Sequence, residues 1–284
     1  MAPAINSPDE DRKDLSRIGS TGDYRQRLPV GQTIGKYQHC LVHFDGQYST
    51  IFKSRDDKDK FVAVKVTVPH LLGAPHDSRR EAQLLREAVS PHVIDLVETF
   101  ELSEGRLVLV YPFMRRTFEQ LLHQETVTAS QVRSHLRDLF RALAHVHALG
   151  IIHRDVKPAN LLVDSPAGPA YLADFGVAWQ EGVGSSEPSD SKIIDVCTTR
   201  YRPPEILFGC RSYTSAVDIW SAGCVVAEAI CTGHQPIFDC GPEGSDLAVI
   251  HSMFTKLGTP DSATWPVSFA CSRSNTFDYV ANRG

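Results

Sequence analysis

The order of the elements predicts an α+β protein in two lobes, strand-rich first and helical after. Three patterns carry that prediction. Phe61 to Val66 alternates with a period of two, Val62, Val64 and Val66 to one side and Ala63 and Lys65 to the other. Val132, Leu136, Leu139, Phe140, Leu143 and Val146 recur at intervals of three and four, the stripe of an amphipathic helix. Ile219, Ala222, Gly223, Val226 and Ile230 mark a second helix, so apolar that burial on most sides is expected.

Taken in order, residues 1–30 are polar, of mixed charge and without periodicity, and read as a flexible tail. Leu41 to Phe44, Asp45-Gly46 and Tyr48 to Lys53 read as a hairpin in which Asp-Gly supplies positive φ to a tight turn. A helix is expected from about Pro75 to Val89, with Ala82, Leu85 and Val89 on its apolar stripe, and a strand from Leu107 to Tyr111. Thr128 and Gln131 are spaced for a capping box at the head of the first long helix, and Gly150 stops it. Residues 151–205 are short strands and polar loops. No internal repeat is visible.

Composition excludes several classes. Of 284 residues, 42% are hydrophobic and 22% charged, a globular balance. A net charge of -5 gives no basic excess for nucleic acid. No apolar run approaches the ~20 residues of a membrane span; the best, Cys224 to Ile230, is broken by Glu228. The N-terminus has no apolar core and is not a secretory signal. A soluble intracellular protein, cytoplasmic or nuclear, with no membrane partner is expected. The seven cysteines are odd in number and form no Cys-x-x-Cys pair, which fits reduced thiols better than disulfides or zinc. Cys224 and Cys231, one heptad apart, read as core packing.

Four short segments carry chemistry. In Val62-Ala63-Val64-Lys65 the Lys can reach a bound phosphate while the small Ala leaves room for a flat base; alone, it describes any half-exposed strand. His153-Arg154-Asp155-Val156-Lys157-Pro158-Ala159-Asn160 follows the Gly150 stop. There an Asp can accept a hydroxyl proton, a Lys can neutralise a phosphoryl group, and an Asn oxygen suits Mg²⁺. Asp174-Phe175-Gly176 sets a carboxylate on a Gly turn, where it can hold a hard cation. Tyr201-Arg202-Pro203-Pro204-Glu205 closes the series.

In this order the segments resemble the signature set of the eukaryotic protein kinases, Pro203 standing where an Ala is usual. Lys157, two residues after Asp155, resembles the serine/threonine branch. Thr198 to Leu207, with Leu257-Gly258-Thr259-Pro260 and Trp265-Pro266, is similar to the cyclin-dependent kinases, and most to the monomeric kinases that activate them in fungi. The likeness runs from about residue 40 to 266. It implies a bilobal protein kinase fold, with a β-rich N-lobe over 31–113 and a helical C-lobe over 114–266.

The resemblance also implies roles. Asp155, Lys157 and Thr198 would be catalytic: Asp155 accepts the substrate proton, Lys157 stabilises the moving phosphoryl group, and Thr198 hydrogen-bonds both. Asn160 and Asp174 would hold Mg²⁺. Lys65 would hold the α- and β-phosphates of ATP, paired with Glu81. Gly46 and Ile51 belong to the phosphate-covering hairpin, Pro112 and Met114 to the adenine hinge, Tyr111 stands as gatekeeper, and Ala63 and Leu162 would sandwich the base. Ser78-x-x-Glu81 also reads as a capping box, but Pro75 can start the helix earlier, and the Lys65 pair is the preferred reading. Asp218 would brace the catalytic loop.

The sequence departs from the pattern in three places. The family's glycines fall on Phe44, Gly46 and Ser49, so one is kept; weaker ATP binding follows. Tyr48 aligns with a site of inhibitory phosphorylation and is read as a strand aromatic. His76-Asp77-Ser78-Arg79-Arg80-Glu81 replaces the cyclin-binding signature, and Ile193 replaces the activating Thr. Arg154 then needs an anion from Glu187, Asp190, Asp195 or a phosphorylated Ser191. A monomer independent of cyclin and of loop phosphorylation is expected. After Pro266 the pattern stops; residues 267–284 read as a divergent tail, leaving the C-lobe incomplete and Glu205 without its usual Arg. The reading is an ATP- and Mg²⁺-dependent protein serine/threonine kinase whose expected substrate is a protein, the activation loop of a cyclin-dependent kinase in cell-cycle control. The rival is a pseudokinase or inactive truncated kinase acting as a scaffold. A small-molecule phosphotransferase is disfavoured by the long 177–205 segment, and no P-loop is present.

Overall fold

The computed structural model describes residues 31–124, 127–184 and 187–261; the predicted tails at 1–30 and 267–284, and Trp265-Pro266, lie outside the described residues. Six strands form one antiparallel sheet: β1 (Gln32–Ile34), β2 (Tyr37–Asp45), β3 (Thr50–Arg55), β4 (Phe61–Thr67), β5 (Glu98–Glu101) and β6 (Leu107–Pro112), in the order β1-β2-β3-β4-β6-β5. Helix α1 (Ser78–Glu87) packs against it. The second lobe holds α2 (Phe118–Gln124), α3 (Ala129–Ala148), α4 (Pro204–Leu207), α5 (Ala216–Ile230) and α6 (Asp246–Leu257), with a small sheet of β7 (Arg116–Thr117), β8 (Leu161–Val163) and β9 (Ala170–Leu172). This is the expected bilobal α+β architecture. Among the described residues no helix is long and apolar enough to cross a membrane.

The period-two reading of β4 holds. Val62 and Val64 are buried with Phe52, Val108 and Val110, while Ala63 and Lys65 face the cleft. Burying each such side chain contributes roughly 1.5–3 kcal/mol. The larger core runs from Leu84, Leu85 and Ala88 of α1 through Leu139, Leu143 and Val146 of α3 to Val225 of α5. Ile94 N–H donates to Leu172 C=O and Leu172 N–H to His92 C=O, joining the two lobes beside the cleft.

Helix α3 begins and ends as its sequence requires. Gln131 N–H donates to Thr128 Oγ1 and Thr128 N–H to Gln131 Oε1, closing the capping box, and Gly150 takes φ 75° just beyond the last turn. Phe140, placed on the apolar stripe, is 40% exposed.

Five expectations are corrected. The hairpin is closed by a four-residue loop, since Asp45 pairs with Thr50 and Gly46 N–H donates to Ser49 C=O; neither Asp45 nor Gly46 has positive φ. Tyr48 lies in that loop rather than in a strand, its ring stacked on His76 with centroids 3.8 Å apart. Helix α1 starts at Ser78, not Pro75, because Asp77 is its cap and accepts from Arg79 and Arg80 N–H; Val89 lies beyond its end, exposed. On α5 the buried face is Val217, Asp218, Ser221, Ala222, Cys224, Val225, Glu228 and Ala229, while Ile219 and Ile230 of the predicted stripe are exposed. Cys231 is exposed as well, so only Cys224 of that pair is core, its thiol pushed up to about 12 by burial.

Candidate active site

Strand β4 sets Lys65 in the cleft. Its Cα partners are Ile51 on β3 and Leu109 on β6, with Ala63 opposite Tyr111 one pleat along. Lys65 Nζ donates to both Glu81 oxygens at 2.9 Å and to Asp174 Oδ1 at 3.1 Å. Glu81 is buried and also accepts from the Tyr111 hydroxyl at 2.9 Å. Burial disfavours the Lys65 ammonium, but Asp174 and Glu81 more than offset that and raise its pKa. Burial pushes the Glu81 carboxyl up, against the pull of Lys65. The preferred ion pair is therefore present although the helix starts late: Glu81 is the fourth helical residue, one beyond the capping-box position.

The loop after α3 is held from beneath by Asp218 at the head of α5. Its carboxylate, 1% exposed, accepts the N–H of His153 and of Arg154, each at 2.8 Å, and lies 2.8 Å from His147 Nε2. Those bonds hold Arg154 at φ 66°; Asp174 and Cys197 take φ 64° and 63°. Positive φ costs a non-glycine residue of order 1–3 kcal/mol and persists where the surroundings over-determine it, commonly at functional sites. Three such residues converge here.

Above this base sits Asp155. Its Oδ1 accepts from Thr198 Oγ1 at 2.7 Å and from Thr198 N–H at 3.1 Å; its Oδ2 accepts from Asn160 Nδ2 and pairs with Lys157 Nζ, both at 2.9 Å. Lys157 Nζ also donates to Thr198 Oγ1 at 2.9 Å. His153 Nδ1 accepts Asp155 N–H and its Nε2 donates to Ala173 C=O, so one imidazole ties this loop to the residue before Asp174. Phe175 is fully buried with its ring edge-on to His153. Lys65 holds the Asp174 carboxyl down at about 2, so it is ionised at neutral pH, and half of its side chain is exposed.

The donor set fits Mg²⁺. Asn160 spends its amide N–H on Asp155 and keeps a carbonyl oxygen, and Ala173 N–H donates to Asn160 C=O, which draws Asn160 and Asp174 into adjacent loops. No group of three or more His, Cys, Asp and Glu able to hold a metal occurs among the described residues. Two oxygen ligands, with the remainder from substrate phosphates and water, is the usual pattern for Mg²⁺.

The other predicted nucleotide contacts are placed but not joined by bonds. Pro112 ends β6; it lacks an N–H but keeps the carbonyl through which a hinge residue can accept from a base. Met114 is half-buried beyond it, and Leu162 stands on β8 opposite Thr117 and Tyr171. A Cβ at Gly46 would lie 2.6 Å from the ring of Phe44, an exposed side chain that can turn aside. Glu205 has no cation partner among the described residues, and burial raises its pKa. Sequence reasoning missed Arg80: 1% exposed and 3.6 Å from Glu187, it shares that carboxylate with Arg154. Its only signal was its place next to Glu81.

The site and the fold together define a class. A model of the protein kinase domain matches residues 45–275. A cyclin-dependent kinase 7 from Xenopus laevis is 35% identical over 245 residues, covering 84% of this chain and 65% of its own. The chain belongs to the protein kinase family, on the cyclin-dependent-kinase-like side, and spans less than two thirds of the length of that relative.

Proposed function

We propose that this chain is an ATP- and Mg²⁺-dependent protein serine/threonine kinase that acts on another protein, its substrate being the activation loop of a cyclin-dependent kinase. The observation that supports it is the single network formed by Asp155, Thr198, Lys157 and Asn160, facing the Lys65–Glu81–Asp174 cluster. Asp155 would orient the substrate hydroxyl and take its proton as the oxygen bonds to the γ-phosphorus and the bond to the β–γ bridging oxygen breaks, releasing ADP. Lys157 would balance charge on the transferring group, and Lys65 would hold the inner phosphates. Asn160 and Asp174 would hold the Mg²⁺, which supplies charge neutralisation at the phosphates. Positioning and fixed electrostatics are most of what this reaction requires.

An internal acid supports autonomy from cyclin and from loop phosphorylation. Glu187 binds Arg154 through two hydrogen bonds and lies 3.6 Å from Arg80, the anion sites a loop phosphate would otherwise fill. Added cyclin is expected to leave the rate unchanged; strong stimulation would count against this. A monomer in the cytoplasm or nucleus fits the charge and the free cysteines.

The deciding assay is transfer of labelled phosphate from Mg·ATP to an inactive cyclin-dependent kinase. Transfer supports the reading and its absence overturns it; a melt with and without Mg·ATP then shows whether a nucleotide-binding scaffold remains. The scaffold reading draws on the altered hairpin, where Phe44 packs on Gly46 and Tyr48 on His76. Restoring Gly at positions 44 and 49 is expected to tighten Mg·ATP about tenfold by calorimetry, the worth of roughly one charge-assisted hydrogen bond. Unchanged binding would show that these side chains do not limit affinity.

A further inference from the structure

Helix α1 has ten residues, and Glu81 sits in its first turn, where fewest intrahelical bonds restrain it. Several contacts hold the helix. Arg79 reaches Glu101, and Arg86 reaches Thr99, at the exposed sheet edge. Asp77 N–H donates to Gly176 C=O. Ala82 packs in a small cluster with Leu107 and Leu109. None of these touches the Glu81 carboxylate. Tyr111 does: from the end of β6 its hydroxyl donates to Glu81 Oε1 at 2.9 Å, the oxygen that also accepts from Lys65.

We propose that Tyr111 is a positioning residue that ties α1 to the sheet through Glu81 and holds the Lys65–Glu81 pair formed without a partner protein. This rests on the kinase reading of the site and deepens it. An apolar side chain here would fill the same space against Ala63 but leave Glu81 on Lys65 alone. Burial, and after it the Glu81 carboxylate, hold the phenol well above its ordinary pKa, so it stays a donor at any working pH. The hydroxyl is committed to Glu81, and the back of the cleft presents ring carbons to whatever base binds there.

Tyr111→Phe keeps the ring and deletes the bond. Two readouts test it. The first is amide hydrogen exchange in the first turns of α1, measured on the chain without nucleotide: the variant is expected to lose about tenfold in protection, the equivalent of one hydrogen bond to a charged group. The second is a double-mutant cycle on kcat/KM for ATP with Glu81→Met. The phenol deletion is expected to cost about tenfold beside Glu81 and almost nothing beside Met, because its effect passes through the carboxylate. Unchanged α1 exchange, or a loss of the same size in both backgrounds, would overturn the proposal and leave Tyr111 as packing. If no phosphoryl transfer is seen from any form, the kinase reading fails, while the exchange measurement still decides the role of Tyr111.

Discussion

Replacing Asp155 by Asn is expected to lower kcat by about 10²–10⁴-fold, the usual contribution of a positioned base, while KM for ATP stays within about twofold of its starting value. The asymmetry follows from the geometry. Oδ1 faces two donors from Thr198, and an amide oxygen can still accept from both. Oδ2 faces Asn160 Nδ2 and Lys157 Nζ, so an amide nitrogen there would meet two donors with a third. The mismatch costs about 1–3 kcal/mol, or several degrees in melting temperature. It leaves Lys65, Glu81 and Asp174 untouched, which is why nucleotide affinity is spared. Steady-state kinetics beside a thermal melt separate the two effects. A variant with full kcat would remove Asp155 from the chemistry, and one that also lost ATP binding would mean the loop, not the proton acceptor, had failed.

The legible part of this site was local. Asp155, Lys157 and Asn160 lie within six residues on one loop, so their types and spacing already describe how oxygens and an ammonium converge. The capping box of α3 was legible because the bonds that make it span only three residues. The face of α5 was not. That helix carries apolar residues all round, and periodicity cannot choose among them; its polar residues decide. Asp218 turns inward to accept the loop amides, Ser221 Oγ donates to Tyr201 C=O, and Glu228 accepts the Tyr201 hydroxyl at 2.6 Å. Buried polar groups with partners far away in sequence set the rotation, and Ile219 and Ile230 are left outside. The late start of α1 had a subtler cause. Two neighbouring residues, Asp77 and Ser78, both suit an N-cap, and the carboxylate takes the position and accepts two amides. Arg80 was invisible for the same reason as the α5 face, since its partner lies more than a hundred residues on.

Glu187→Gln is expected to be strongly destabilising for an isosteric change of charge. The carboxylate, 6% exposed, binds Arg154 through both oxygens at 2.6 and 3.1 Å, accepts Ile193 N–H at 3.0 Å and lies 3.6 Å from Arg80. Arg154 is fully buried and Arg80 is 1% exposed. An amide leaves two buried guanidiniums with no countercharge at Glu187, and breaking a buried pair costs about 3–5 kcal/mol, roughly 10 °C in melting temperature at this chain length. The pH dependence has a definite sign. Burial raises the Glu187 carboxyl, but the hydrogen bond from Arg154, the Ile193 amide and the two guanidinium charges outweigh it and hold the folded pKa below the ordinary 4.5. Its stabilisation is therefore complete above the unfolded value and is lost as pH falls through the folded one. Urea melts between about pH 7 and pH 3 should show the parent losing that contribution on acidification and Glu187→Gln lacking it throughout, so that the two curves converge in acid. Curves that stay parallel would mean another anion neutralises the pair. Because Arg154 C=O accepts Cys197 N–H, next to Thr198, and Arg154 itself precedes Asp155, slackening at Glu187 reaches both members of the Asp155–Thr198 hydrogen-bond pair; kcat should fall with stability, and further still if Arg80 is kept than if it is replaced by Met, since the second guanidinium repels the first.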